Sequence, residues 1–363
     1  MRVAFDEQIF LKQMRGGISR YFVELINAFR SDPDLGIVPE LTFDRAWNEH
    51  ALSQLTEVRQ GLLPRQPRGE IARRRLARRL RRGELPAELV HSTFYDPRYL
   101  ADTIGAMHVV TVHDMIPELF PDEVSAEVHE AKRQYVEQAD LVVCVSEATR
   151  RDLSRFYGES AAPVVVVTSG VSDRFARSGP VAENLPEEYL LHVGARAGYK
   201  NFDLLIEAFV ESSRRYPDLH LVVIGGGPFS DSEHQRIAEL GLSHRIDWRQ
   251  VSDEQLPTVY QRATAVILPS RYEGFGLPVL EAMKAGAPVI AGDTAAFREV
   301  AGDAAIFFDV GNSDELAAAI SRVLADSQLA HDLVDRGRLR AADFSWSRTA
   351  RLTAAAYRSV VAD

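Results

Sequence analysis

The chain has 363 residues, more than one hydrophobic core usually organises, so two domains are expected. Hydrophobic residues make up 46% and charged residues 26%, the balance of a soluble globular protein. The formal net charge of −10 makes nucleic acid a poor partner. Cys144 is the only cysteine, which excludes disulfides within the chain and clustered thiolate metal sites. It lies in the apolar run Leu141 to Val145 and reads as a plain buried thiol. The opening MRVAFDEQIF places Asp6 and Glu7 where a signal peptide needs an apolar core. No apolar run reaches the roughly 20 residues that span a bilayer. A cytoplasmic protein is expected, peripheral at most at the inner face of a membrane.

Taken in chain order, short apolar runs alternate with longer amphipathic stretches. MRVAF reads as a strand and Ile18 to Phe29 as a helix. MHVVTVH at 107–113 and ADLVVCVS at 139–146 are strands. The helix-like EATRRDLSRFY follows the second, with Ser146 or Thr149 as its cap, and VVVVTSG at 164–170 is a further strand. After the Pro- and Gly-containing stretch 178–186, the best linker candidate, the pattern starts again. YLLHVG is a strand, NFDLLIEAFVESSRRYP a helix with Asn201 at its cap, and LHLVVIGGGP a strand running into a Gly-rich loop. ATAVILPS, LPVLEAMKAG, PVIAG and AAIFFD continue the series before two final helices. Alternation of this kind makes an α/β protein of two Rossmann-like, doubly wound domains. Ligands collect at the C-terminal ends of such strands, so a cleft between the domains is expected. The expected division is 1–178, 179–345 and a C-terminal helix 346–363 packing back toward the first domain.

The segment 60–88 stands apart, with nine arginines between Arg65 and Arg82 in an otherwise acidic chain. Ala72, Leu76 and Leu80 form a narrow apolar stripe at helical spacing. Two readings stay open: a solvated helix docked along that stripe, or a weak contact with anionic lipid headgroups or a phosphorylated acceptor.

The chemistry concentrates in a few strings. In SRYEGFGLPVLEA, Glu273 and Glu281 bracket a tight Gly turn at a strand-to-helix junction. The backbone N–H groups of Phe275, Gly276 and Leu277 lie where a helix start can hold a phosphate or orient a sugar. HVGARAGYKNF places Arg196 and Lys200 between a strand and a helix. GGISRYF carries Gly16 and Gly17 ahead of a helix, VVTVHD ends a strand in His113, and GGGP contains Gly226.

Together these strings resemble the retaining glycosyltransferases of family 4 with the GT-B fold, over nearly the whole chain, nearest to bacterial mannosyl- or deoxyhexosyltransferases of surface polysaccharide assembly. The resemblance implies that Glu273 lies near the donor sugar and Glu281 bonds the donor ribose. It gives Arg196 and Lys200 the donor diphosphate, whose growing charge as the glycosidic bond breaks requires cations. It sets the Gly16–Gly17 loop over the donor phosphate and His113 against the sugar, and places Gly226, Arg249 and Val251 near the nucleotide. No Asp-x-Asp motif stands beside Arg196 and Lys200 where it could hold a metal on the diphosphate, so no cofactor and no metal are expected. The expected reaction moves a hexose or deoxyhexose, mannose-like, from a GDP-linked donor to a hydroxyl of a glycan or polyprenyl-diphosphate-linked acceptor. An epimerase of the same fold and a non-catalytic nucleotide-sugar-binding protein are the alternatives. A dinucleotide binder is disfavoured because MRVAF is not followed by G-x-G-x-x-G.

Overall fold

The computed structural model describes residues 1–60, 87–100, 106–123, 126–196 and 198–361. The arginine-rich segment Arg65 to Arg82 lies outside these residues. The chain forms two compact units, Met1–Gly170 with Ser345–Asp363, and Val171–Phe344.

The first unit contains β1 (Arg2–Phe5), β2 (Val38–Leu41), β3 (Arg45–Ala46), β4 (Arg59–Gln60), β5 (Leu89–Ser92), β6 (Met107–Val112), β7 (Leu141–Cys144) and β8 (Val164–Val166). Six of these make one sheet in the order β2-β1-β5-β6-β7-β8, parallel throughout, while β3 and β4 pair separately. The helix Gly17–Ser31 buries Tyr21, Phe22, Leu25, Ile26 and Phe29, one stripe at 3.6-residue period. Against it packs the C-terminal helix Trp346–Val361, with Trp346 edge-on to Tyr21 and Tyr357 beside Phe29.

The second unit contains β9 (Tyr189–Val193), β10 (His220–Ile224), β11 (Ile246–Arg249), β12 (Ala265–Leu268), β13 (Val289–Gly292) and β14 (Ile306–Phe308). They form one parallel sheet in the order β11-β10-β9-β12-β13-β14. That is the doubly wound order whose direction reverses between the first and fourth strands, here β9 and β12. The helix Phe202–Arg215 covers one face with Phe202, Leu205, Ile206 and Phe209.

Besides the short pair β3 and β4, three strands of the two large sheets escape the sequence pattern. β2 carries Pro39 and lies at a sheet edge, β5 is buried although half of it is His91 and Ser92, and β11 reads as IDWR. The stretch 178–186 is not the linker either. Gly179 donates to and accepts from Thr258 Oγ1 at 2.8 Å, and Ser178 bonds Gln261 at 2.8 Å. These bonds fix the stretch inside the second unit, so the division falls at Gly170–Val171 instead of 178. Among the described residues, no helix is long and apolar enough to cross a membrane.

Candidate functional site

The strand order of the second unit brings the loops after β9 and β12 side by side at the switch point. Arg271 N donates to Tyr199 O at 2.8 Å, which ties the two loops through their backbones. Lys200 ends a short turn, Gly198–Lys200, on the first loop, and Glu273 lies on the second. Their side chains meet: Lys200 Nζ donates to Glu273 Oε1 at 2.7 Å. Ser270 Oγ donates to the same oxygen at 2.7 Å. The pair is mostly buried, 17% and 16% exposed, so the two charges are held more firmly than a surface bridge. A carboxylate and an ammonium at the switch point form a polar pair where such sheets take their ligands.

The turn that follows Glu273 delivers the helix Leu277–Ala285. Gly276, at its N-cap, has φ +114, a conformation that only glycine adopts without strain, and a Cβ there would meet the Phe297 ring at 2.9 Å. Phe275 is buried against Phe344. Leu277 and Pro278 open the helix, so its N-terminal N–H groups and dipole attract anions at this end. Glu281 lies one turn further in and is 4% exposed. Tyr260, fully buried on the helix Leu256–Arg262, donates its phenol O–H to Glu281 Oε2 at 3.0 Å.

Asn201 occupies the N-cap position of the helix Phe202–Arg215 but does not cap it. Its φ is +58, and its side-chain amide donates instead to Pro269 O at 3.2 Å and Val310 O at 2.8 Å, joining the loops after β12 and β14. Ser146 does cap its helix, accepting from Thr149 N at 2.9 Å.

Arg196 stands on the same loop as Lys200, and its side chain, 6% exposed, engages a different set of partners. It donates to Glu233 and to the carbonyls of Gly225, Gly227 and Pro228. Gly226 lies in that loop with φ +69. Arg249 donates to Glu183 O at 2.9 Å, and Val251 is buried. A cavity of about 380 Å³ beside β14 is lined by Asp293, Asp309 and Glu315 and contains none of the expected residues. Its like charges repel a diphosphate.

In the first unit, Gly16 is extended, and a Cβ there would collide with the Gln13 side chain. Gln13 Oε1 accepts from Ser19 N at 3.3 Å, closing the loop ahead of the helix that Gly17 begins. That helix carries Tyr21 and Phe22, whose rings meet the His113 imidazole edge-on at 5.0 and 5.8 Å. The Gly16–Gly17 loop and His113 are therefore linked through one helix. His113 Nε2 is buried without a protein partner among the described residues. Burial, and then the Lys132 cation, push the imidazole pKa down to about 3, so it is neutral near pH 7. Lys132 is itself buried and donates to Asp114 O at 2.9 Å and Glu118 at 2.8 Å, pinning the loop after β6.

Sequence reasoning missed Ser270, Tyr260, Gln13, Lys132 and Glu233. Ser270 opens the string that carries Glu273 but has no marked role there, and Tyr260, Lys132 and Glu233 act on residues far away in sequence.

Residues 15–175 match the family described as Glycosyltransferase Family 4, and residues 173–340 match Glycosyl transferases group 1. O-antigen chain mannosyltransferase B of Escherichia coli is 29% identical over 282 residues, 73% of this chain and 72% of that protein. A GDP-mannose-dependent alpha-(1-6)-phosphatidylinositol monomannoside mannosyltransferase of Mycolicibacterium smegmatis is 31% identical over 241 residues, 61% of this chain and 63% of the relative. Other E. coli mannosyltransferases that it resembles are longer, and the match spans 34% of their length. Anabaena HepE, solved in complex with UDP and glucose, superposes with a TM-score of 0.79 at 20% identity, covering 99% of this chain and 100% of that one. Two doubly wound units, a polar pair at the second unit's switch point and two adjoining family matches converge: the chain belongs to the family 4 glycosyltransferases of the GT-B fold, enzymes that move a sugar from a nucleotide-sugar donor to an acceptor.

Proposed function

We propose that the protein is a retaining, metal-independent glycosyltransferase. It takes a mannose-like hexose or deoxyhexose from a GDP-linked donor and delivers it to a hydroxyl of a glycan or polyprenyl-diphosphate-linked acceptor. The observation that carries the reading is the Lys200–Glu273 pair at the switch point, beside the N-terminus of the helix Leu277–Ala285. The relatives' names, a mannosyltransferase and a GDP-mannose-dependent one, support the choice of donor.

In this reading the donor diphosphate lies against the helix start at Phe275, Gly276 and Leu277, and Lys200 stabilises the charge that grows on it as the glycosidic bond breaks. Glu273 orients the sugar, and Glu281, held by Tyr260, bonds the ribose hydroxyls. The neighbourhood of Gly226, Arg249 and Val251 receives the nucleotide. Neutral His113 exchanges a hydrogen bond with a sugar oxygen, and the Gly16–Gly17 loop approaches the donor phosphate. The acceptor hydroxyl attacks on the face that the diphosphate leaves, and the departing phosphate oxygen takes the acceptor's proton. Acceptor oxygen to anomeric carbon is the bond formed; anomeric carbon to phosphate oxygen is the bond broken. The enzyme works in the cytoplasm, and a weak, salt-sensitive contact of Arg65 to Arg82 with anionic lipid is one of the two readings of that segment.

A UDP-linked donor is the second reading, because HepE was solved with UDP and glucose. A thermal-shift panel of GDP, UDP, dTDP and ADP, with and without their sugars, separates the two, since a ligand of the native state raises its stability by mass action. Stabilisation by GDP and GDP-mannose is expected. Stabilisation by UDP alone moves the donor to the second reading, and a shift with none of the panel removes the transferase reading. Transfer that EDTA abolishes and a divalent metal restores would overturn the metal-free mechanism.

A further inference from the structure

A guanidinium has five N–H donors in a planar fork. In Arg196 every one is engaged. Nε donates to Glu233 Oε1 at 2.6 Å, and one terminal nitrogen to Gly225 O at 2.8 Å and Gly227 O at 2.9 Å. The other donates to Pro228 O at 3.0 Å and Glu233 Oε2 at 3.2 Å. The fork also lies 4.9 Å from the centre of the Phe229 ring.

The loop that it grips is unusual. Gly225, Gly226 and Gly227 have φ of +92, +69 and +77, three successive left-handed residues directly after β10. Such a run has no internal hydrogen-bond pattern to hold it and is costly in chain entropy. Its carbonyls converge on one cation, and Trp248 Nε1 adds a bond to Gly225 O at 3.1 Å. The other end of the clamp is equally fixed. Glu233 closes a capping box with Ser230 at the start of the helix Asp231–Glu239. Partial burial pushes the Glu233 carboxyl up, but the Arg196 fork and the Ser230 amide outweigh it and bring its pKa down to about 2.

The clamp also reaches the Lys200 loop. Arg196 stands four residues before Lys200, and a Cβ on Gly225 would strike Gly194 O at 2.9 Å, so the two loops are in backbone contact. We infer that Arg196 is a positioning residue: through Glu233 and three carbonyls it locks the Gly225–Pro228 loop against the Lys200 loop, and it does not grip the donor diphosphate. This rests on the transferase reading for its consequence, since the loops so fixed border the donor site. It replaces the diphosphate contact that resemblance assigns to Arg196.

The two roles differ in what they predict for Glu233→Gln. Against a clamp, Arg196→Lys keeps the charge but loses the fork, and Glu233→Gln removes the charge that the fork grips. Both are expected to raise the donor KM by roughly tenfold, with smaller changes in kcat. The double variant is expected to match the worse single one, because both break one unit. A diphosphate ligand behaves otherwise: Arg196→Lys still raises the donor KM, while Glu233→Gln leaves it at the wild-type value. That result overturns the inference. Amide hydrogen exchange of the ligand-free proteins gives an independent reading. Faster exchange at residues 225–229 in both variants, with circular dichroism unchanged, is expected, and exchange like wild type in either variant overturns the clamp. A wild-type protein that binds no nucleoside diphosphate removes the transferase reading, while the exchange comparison still decides whether Arg196 holds the loop.

Discussion

Individual side chains here are fixed by partners that lie far away in sequence, and two of them make sharp tests. Tyr260 lends its phenol to Glu281, and a hydrogen bond to a charged group contributes about 1.5–3 kcal/mol. Tyr260→Phe removes the bond and keeps the ring packed on Phe175. The donor KM is expected to rise by roughly tenfold and the melting temperature to fall by only a few degrees, read by steady-state kinetics beside a thermal scan. An unchanged KM would mean that Glu281 needs no help to meet the donor. Glu7 makes a pH test. It is 5% exposed, and burial, followed by the neighbouring Asp6 charge, raises its pKa from the ordinary 4.5 to about 7. A raised carboxyl adds stability below pH 4.5, which fades as the pH climbs through 7, because the folded protein must then bury the charge. Glu7→Gln cannot ionise. Its stability relative to wild type, from urea melts, should therefore improve from pH 5 to pH 8, by about 3 kcal/mol if the whole shift is expressed. A difference that does not change with pH would remove Glu7 as a source of alkaline instability.

At the scale of elements, the loops at the C-terminal ends of β9, β12 and β14 are held as one piece by Asn201. Its φ of +58 suits Asn or Gly, and its amide spans two loop carbonyls. Asn201→Ala loses both bonds and meets the left-handed backbone cost, so a loss of about 2–4 kcal/mol is expected in urea melts. Asn201→Gly should recover about 1 kcal/mol of it, the backbone part. If Ala and Gly behave alike, the conformation is not the constraint. Elements are also where the sequence was most readable. Apolar runs such as Tyr189–Val193 and Val289–Gly292 announce buried parallel strands, because both faces of the sheet are covered. Where a strand is short and partly polar, as in the buried β5 with His91 and Ser92, the pattern fails. Its polar groups are satisfied by distant partners, Tyr357, Thr111 and His108, that no local window contains.

At the scale of the whole molecule, the first unit is built from both ends of the chain. The helix Trp346–Val361 follows the second unit in sequence but completes the first. Thr349 Oγ1 donates to Thr168 O at 2.8 Å, Tyr357 meets His91 at 2.6 Å, and Trp346, Ala350, Ala354, Tyr357 and Val360 are buried. Ending the chain at Ser345 should therefore destabilise the unit that lies earlier in sequence. Hydrogen exchange is expected to accelerate in the helix Gly17–Ser31 and in β7, which touch the deleted helix, and to stay at the wild-type rate over 190–340. Loss of protection in the second unit instead would contradict this division.

The sequence by itself determined the class of fold, the doubling of the domain and the strings that carry Lys200, Glu273 and Glu281. Each depends on features that a short window contains: apolar period, glycine at a turn, a helix start after a strand. What only the tertiary structure decided is which of these residues face one another and which are already occupied. Lys200 and Glu273 are 73 positions apart and meet because the sheet order sets β9 beside β12. Arg196, four residues from Lys200, engages Glu233 and three loop carbonyls instead. Spacing places both cations on one loop. Their different partners are the side chains and carbonyls that the fold brings to each, and a one-dimensional pattern does not encode those encounters.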